Sequence, residues 1–549
     1  MTYAKYILLL VSLLVMAAQP TRADTVTLAG TVRNSRTGLV IASATVHVFD
    51  RSGLLLGSAL SNAQGGWSIA VAVTGIGTDA VPGRFALDQN YPNPFNPSTK
   101  LPFTIIREGP VRISVHNIVG QLLDKKEFFL HPGSYIVDWA SKGGAGVLFY
   151  SIESGGVRLT RKMIQLDGGN HNGLGQLSMT SQVGSFRLAT RQGLDSCHIV
   201  TTSLIYEPNT LTVAFASAAT INVTLTSIHD AAFLIDLHND AMEMISGRGF
   251  AYELGVRHTP PPHTDIPRFR DGGVDAQVFS IWISPTGYPV SAYYSTAMKF
   301  LDTLKAQAKR NAADLQLTVT ADSVEQHTRE GKISGLVVVE GGHCIEDNLD
   351  KLRAFYDAGV RLMTITWNNS TSWAVSAQDS RSGSVGLNDF GRQVIRTMDS
   401  LGMIIDVSHV GRKTVEDILA TSKNPIIASH SGAYGLRSHY RNLTDDQIKA
   451  IAARGGVIGV VFYPPFLTSG TATLNNVLQH IDYIKNLVGV EYVALGSDFD
   501  GIETTPVGLW DVTTFPSVTE ALLQRGYTRE DVRKILGGNF MRVFRQVCK

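Results

Sequence analysis

Two textures divide the chain. From Thr25 to about Ser227, short runs alternate apolar and polar residues between Gly, Asn and Ser, and almost nothing recurs with helical period. That pattern predicts β-sandwich modules. From Ala231 onward, β-branched apolar runs alternate with amphipathic helical stretches. Strands are expected at 233–237, 276–283, 335–340, 362–366, 403–407, 426–429, 457–462 and 493–496, with helical patterns between most of them, such as 349–356 and 477–487. Near-continuous apolar strands alternating with helices imply a parallel sheet, and eight such units in about 320 residues suit a (β/α)8 barrel. The expected fold class is therefore α/β, a TIM-type (β/α)8 barrel preceded by all-β sandwich modules. A doubly wound open sheet is the alternative, but no Gly-rich phosphate loop opens any of its helices.

The N-terminus has another logic. Lys5 precedes an apolar run over 6–18, and Thr21-Arg22-Ala23 follows as a cleavage-type sequence, so residues 1–23 read as a signal peptide. The run is short of the roughly 20 residues that a membrane span needs, and no later stretch qualifies. An exported chain with no integral span after signal removal is expected.

Composition narrows the function. Hydrophobic residues are 44% and charged residues 17%, which excludes a disordered chain. Lys+Arg (48) and Asp+Glu (47) leave a net charge of +1, so no global field gathers nucleic acid, and no nucleic-acid partner is expected. Cys197, Cys344 and Cys548 are odd in number and far apart, which argues against a disulfide framework or a thiolate zinc cluster.

Two stretches of the first half resemble known modules. Gly30-Thr-Val-Arg-Asn-Ser-Arg-Thr-Gly38, followed by 41–48 and Gly65-Gly66-Trp67-Ser-Ile69, resembles the carboxypeptidase regulatory-like β-sandwich. Gln89-Asn-Tyr-Pro-Asn-Pro-Phe-Asn-Pro-Ser-Thr99, with 111–120, Gly146-Val-Leu-Phe-Tyr150 and Thr160-Arg-Lys-Met163, resembles the type IX secretion sorting domain of some Gram-negative bacteria. The expected divisions are 24–80, 81–166, 167–229 as further strands completing the first sandwich, and 230–549 as the barrel. The second resemblance implies secretion machinery as a partner and a periplasmic, cell-surface or extracellular location. That domain normally ends a chain, whereas residues 167–549 follow it here, so a plain structural β-module is the competing reading.

The chemistry gathers at strand ends. His238 and Asp240 follow the first expected strand, Glu340 and His343 the third, His409 the fifth, His430 the sixth and Asp498 the eighth. In a barrel these ends share one face, so residues distant in sequence converge on a metal site. Three histidines and two or three carboxylates exceed what one tetrahedral zinc uses, and a carboxylate can bridge two ions about 3.5–4 Å apart, so two metals are expected. Cys344 sits beside this loop without a separate histidine partner, so no thiol nucleophile is proposed.

Ile235-Asp-Leu-His-Asn-Asp240, Glu340-Gly-Gly-His-Cys-Ile345, Ile405-Asp-Val-Ser-His409, Ala428-Ser-His-Ser431, Arg441-Asn-Leu-Thr444 and Gly496-Ser-Asp-Phe-Asp-Gly501 together resemble the membrane (renal) dipeptidase family, binuclear zinc peptidases on a TIM-type barrel. The resemblance runs from about 235 to 544. It implies two Zn2+ per chain: His238 and Asp240 hold one, His409 and His430 the other, and Glu340, also a catalytic residue, bridges both. It also implies that Asp498 moves the proton and Arg441 pairs with the terminal carboxylate of a dipeptide. The expected activity is dipeptide hydrolysis through a metal-bridging hydroxide, with a D-residue accepted at the C-terminal position, in a chain that forms a homodimer.

One departure bears on specificity. The fourth strand ends in Trp367, where the animal dipeptidases carry a histidine that contacts the scissile carbonyl; Trp offers one N–H and no charge. Trp367 and Tyr463 are expected to line the substrate pocket. His258, His263 and Asp265 are expected in a lid or substrate wall, and His439 in a loop. Two alternatives remain: another metal-dependent amidohydrolase acting on N-acyl amino acids, lactams or lactones, and a non-enzymatic binding protein with a degenerate barrel.

Overall fold

The computed structural model describes residues 24–50, 55–73, 86–95, 97–105, 108–131, 133–155, 157–166, 169–182, 196–214, 220–247, 252–259 and 262–549. The expected signal peptide lies outside them.

The alternating first half forms four small sheets in two pairs. Strands Asp24–Asn34, Gly66–Val73 and Val223–Leu225 make one sheet, and Thr45–Phe49, Leu55–Leu60, Ser196–Ser203 and Tyr206–Ala214 make the facing one. Their inward residues, including Val46, Val48, Trp67, Ile69, Ile199 and Val223, share one apolar cluster. Val46 pairs with Thr201 and Val32 with Val223, so this sandwich is closed by chain that comes more than a hundred residues later. The intervening chain builds a second sandwich around Phe103, Val137, Trp139, Tyr150 and Ile152. The strand Gly169–Gln182 pairs with Gly133–Gly143 of that second sandwich, so it does not contribute to the first.

The second half is the expected barrel. Its strands are β1 (Ile235–Asn239), β2 (Ala276–Trp282), β3 (Ile333–Glu340), β4 (Leu362–Thr364), β5 (Ile404–Asp406), β6 (Ile427–Ser431), β7 (Val457–Val460) and β8 (Val493–Leu495), hydrogen-bonded in that order and all parallel. The ring closes where Asp240 N–H donates to Phe499 O (2.9 Å) and Asp498 N–H donates to His238 O (3.1 Å).

Alternation along these strands feeds two cores. Ile235, Leu237, Val278, Leu336, Val338, Leu362 and Ile404 cluster with Phe540, Val543 and Phe544 of the C-terminal helix Asn539–Val547. The intervening residues, such as Phe279, Val337, Val339, Met363 and Ile405, pack against the helices outside. The first sandwich is joined to the barrel by ion pairs of Arg36 with Asp230 (2.7 Å) and Arg533 with Glu207.

Candidate active site

Six of the expected site residues meet at the C-terminal ends of the strands. His238, Asp240, Glu340, His409, His430 and Asp498 are all brought together there, and every one of them is buried or nearly so. Two of them get there through unusual backbone: His409 (φ 66°) and Asp498 (φ 66°) are left-handed non-glycine residues just past β5 and β8. Such conformations cost on the order of 1–3 kcal/mol and persist only where surrounding structure holds them.

The donor atoms fall into two groups. Oε1 of Glu340 stands 3.1 Å from His409 Nε2 and 3.8 Å from His430 Nε2, and these two nitrogens are 3.0 Å apart. Its other oxygen, Oε2, stands 3.5 Å from His238 Nε2, which in turn lies 3.3 Å from Asp240 Oδ2 and 4.0 Å from Asp498 Oδ1. Among the described residues, His238–Glu340–His430 and His238–Asp240–Asp498 are sets able to hold a metal ion. Neither ring nitrogen of His238 finds a hydrogen-bonding partner of proper geometry there. An orphaned buried imidazole between carboxylates fits a cation.

Electrostatics follow from burial. His409 is pushed down to about 4, first by burial and then by the nearby Arg441 charge, and His430 falls well below its ordinary value for the same reasons plus His238. Both stay neutral, as ligation requires. Burial also lifts Asp498 well above the usual carboxylate range, with Asp240 and Glu340 adding to the rise and His238 opposing it. For Glu340, burial pushes up, but His238 and His409 outweigh it and hold the carboxylate ionised. Burial raises the Cys344 thiol, so it remains protonated and has no role as a nucleophile.

A cavity of about 420 Å³ opens over this cluster. Trp367 and Tyr463 line it; Trp367 leans on Trp282 (ring centroids 5.0 Å apart) and lies 6.1 Å from the His409 ring. Arg441 is placed differently: buried at the side, its Nη2 donates to His430 O (3.0 Å), its guanidinium lies 5.2 Å from the Phe466 ring centre, and its Nε has no partner. His343 instead places Nε2 2.9 Å from Ile283 O, away from the cluster.

Sequence reasoning missed Glu243, Glu503, Trp282, Asn368 and Tyr440, all of which line the cavity. Glu243 lies three residues past Asp240, one helical turn on, a spacing that is legible once Asp240 is chosen. Burial and the carboxylates of Asp240 and Glu340 raise it to about 7. His439, expected in a loop, lines the cavity and packs on Phe466. His263 and Asp265 form no wall of it. His263 Nδ1 accepts from Asp500 N–H (2.9 Å), and Asp265 caps helix Ile266–Gly272 and pairs with Arg268.

Residues 224–549 match the family model described as membrane dipeptidase, peptidase family M19. The chain belongs to this family. It is a metal-dependent dipeptidase, and its barrel aligns with solved relatives. One is a dipeptidase of family M19, 26% identical, with a TM-score of 0.55 over 58% of this chain and 99% of that one. Another is a metallo peptidase from Rhodobacter sphaeroides liganded with a phosphinate mimic of the dipeptide L-Ala-D-Ala, 25% identical, with a TM-score of 0.54 over 58% of this chain and 99% of that one. An amidohydrolase from Pseudomonas aeruginosa shares the fold at 24% identity and a TM-score of 0.51, over 58% of this chain and 98% of that one. No helix of the described residues of this dipeptidase is long and apolar enough to cross a membrane.

Proposed function

We propose that this dipeptidase works with two zinc ions. One would be held by His238 and Asp240, the other by His409 and His430, with Glu340 shared. The observation that carries the reading is the division of the Glu340 carboxylate, Oε1 toward His409 and His430 and Oε2 toward His238. Two donors about 2.0–2.1 Å from one tetrahedral zinc stand roughly 3.3 Å apart. The separations of 3.0–3.8 Å within each group bracket that value. Zinc bound there supplies Lewis acidity, polarising a carbonyl and lowering the pKa of water toward neutrality.

The chain's own residues do the rest. Asp498, buried beside His238, takes a proton from the attacking water and passes it to the departing amine. Arg441, with Nε unpaired beside the cluster, attracts the carboxylate that ends a dipeptide. Trp367, Trp282 and Tyr463 wall the cavity and limit water around the scissile bond. Acceptance of a D-residue at the C-terminal position is part of the proposal, supported by the ligand of the Rhodobacter sphaeroides relative.

Dipeptides with L or D C-terminal residues, assayed with and without chelator, test this reading. Chelator-sensitive hydrolysis extending to D-residues is expected; absence of chelator-sensitive hydrolysis across the panel sinks it. We also propose that the chain is exported by its first 23 residues, which N-terminal sequencing of the mature protein would check.

A further inference from the structure

A neutral imidazole carries one N–H and one lone pair, and the partner of one nitrogen decides which face the other presents. His409 has a simple partner, since its Nδ1 lies 2.9 Å from Asn368 Oδ1. His430 does not: its Nδ1 lies 2.8 Å from Ser429 Oγ, and a hydroxyl can either donate or accept. The choice is made one residue further away. Ser429 Oγ also stands 2.7 Å from Oδ2 of Asp406, a carboxylate with no exposure to solvent. Oδ1 of Asp406 accepts the backbone N–H groups of Ser408 (3.1 Å) and Ser429 (2.8 Å), and Oδ2 accepts the Thr364 hydroxyl (2.6 Å). With donors on three of its four acceptor positions, the carboxylate can only accept from Ser429 as well.

The single proton of Ser429 therefore points to Asp406. Its other neighbour, Ser408 Oγ, lies farther off at 3.3 Å and is uncharged, so it does not compete. The Ser429 oxygen is left to accept from Nδ1–H of His430. We propose that Asp406, acting through Ser429, is a positioning residue that fixes His430 with its proton on Nδ1 and its Nε2 lone pair turned toward Glu340 and His409. This rests on the metal reading above, but only on the ion between His409 and His430. His238 has no such relay: its Nε2 faces the Asp240 and Glu340 carboxylates, and its Nδ1 has no hydrogen-bonding partner.

Asp406→Asn reverses the relay. The amide oxygen keeps the two backbone N–H groups, the amide NH2 donates to Ser429, and the serine proton swings to Nδ1 of His430, placing the histidine proton on Nε2. Ser429→Ala removes the acceptor without adding a rival donor, so its effect is smaller. Zinc affinity is measured on the full chain by competition with a chromophoric chelator, with circular dichroism as the check on folding. Asp406→Asn is expected to weaken one zinc about tenfold or more and Ser429→Ala several-fold, the scale usual for partners of ligating histidines. Histidine 15N–1H correlation spectra should show one ring changing tautomer in Asp406→Asn alone. A folded Asp406→Asn protein that keeps wild-type zinc affinity overturns the relay. If that variant does not fold, unchanged affinity in Ser429→Ala overturns it instead. Wild-type stoichiometry from the same titration bears on the two-ion reading separately, so each idea can fail without the other.

Discussion

Trp367 stands three residues past β4, against Trp282 and near His409, and it presents an aromatic face to the cavity in place of a titratable ring. Trp367→His is expected to raise kcat/KM on simple dipeptides several-fold, because an imidazole can donate to the developing oxyanion; an unchanged value would show that the contact is dispensable. Asp498→Asn should lower kcat by about 10²-fold or more while zinc content holds, as removal of a proton-transferring group does. Loss of zinc with loss of rate would instead make Asp498 a ligand. Gly501 explains part of the local sequence. A Cβ there would overlap the Asp240 carboxylate and crowd Asp498 Oδ1, so even Gly501→Ala is expected to cut zinc content, read by elemental analysis.

At the scale of elements, the barrel depends on buried carboxylates where strand pairing is thin. Between β8 and β1, Asp236 accepts Ser497 N–H (2.7 Å), Ser497 Oγ–H (2.6 Å) and Gln277 Nε2–H (3.1 Å). Between β5 and β6, where one residue pair carries the ladder, Asp406 has the equivalent role. Asp236→Ala leaves several buried donors unmatched, at about 1–3 kcal/mol each. Its unfolding free energy from urea titration should fall accordingly, and a loss below about 1 kcal/mol would remove Asp236 from the closure of the ring.

Across the whole molecule, buried histidines and buried carboxyls respond to acid with opposite signs. Folded His409 stays neutral down to about 4 because it is buried, whereas the unfolded chain takes up that proton near the ordinary histidine value of 6.5. Between those pH values the unfolded state binds more protons, so stability is present above about 6.5 and is lost as pH falls toward 4. His409 alone accounts for about 3 kcal/mol, and buried His229, His343 and His480 are shifted down as well, each first by burial. His238 and the buried carboxyls act in the opposite sense: Asp498 is lifted well above its ordinary value, Glu243 and Asp500 to about 7 and Asp236 and Asp275 to about 6, chiefly by burial, so the fold takes up their protons before the unfolded chain does. The histidine contribution is therefore read by difference: in thermal melts of the metal-free protein at pH 7, 5.5 and 4.5, wild type should lose Tm relative to His409→Gln as pH falls, and a constant difference would contradict this.

What was legible in the sequence was whatever repeats along the chain or sits at a predictable point of the repeat. Apolar runs with helical stretches between them specify parallel strands, because a strand covered on both faces admits no polar alternation. The convergence of His238, Glu340, His409, His430 and Asp498 was legible because strand ends of a barrel share one face. Other features were decided only by tertiary structure: the burial of Arg441, the lining by Glu243 and Glu503, the pairing of strand Gly169–Gln182 with the second sandwich, and the Asp406–Ser429–His430 chain of hydrogen bonds. The physical reason is common to all four. Periodicity reports which face of an element is buried, but a hydrogen bond or a cavity wall depends on where separate elements meet, and that is set by packing across the whole barrel.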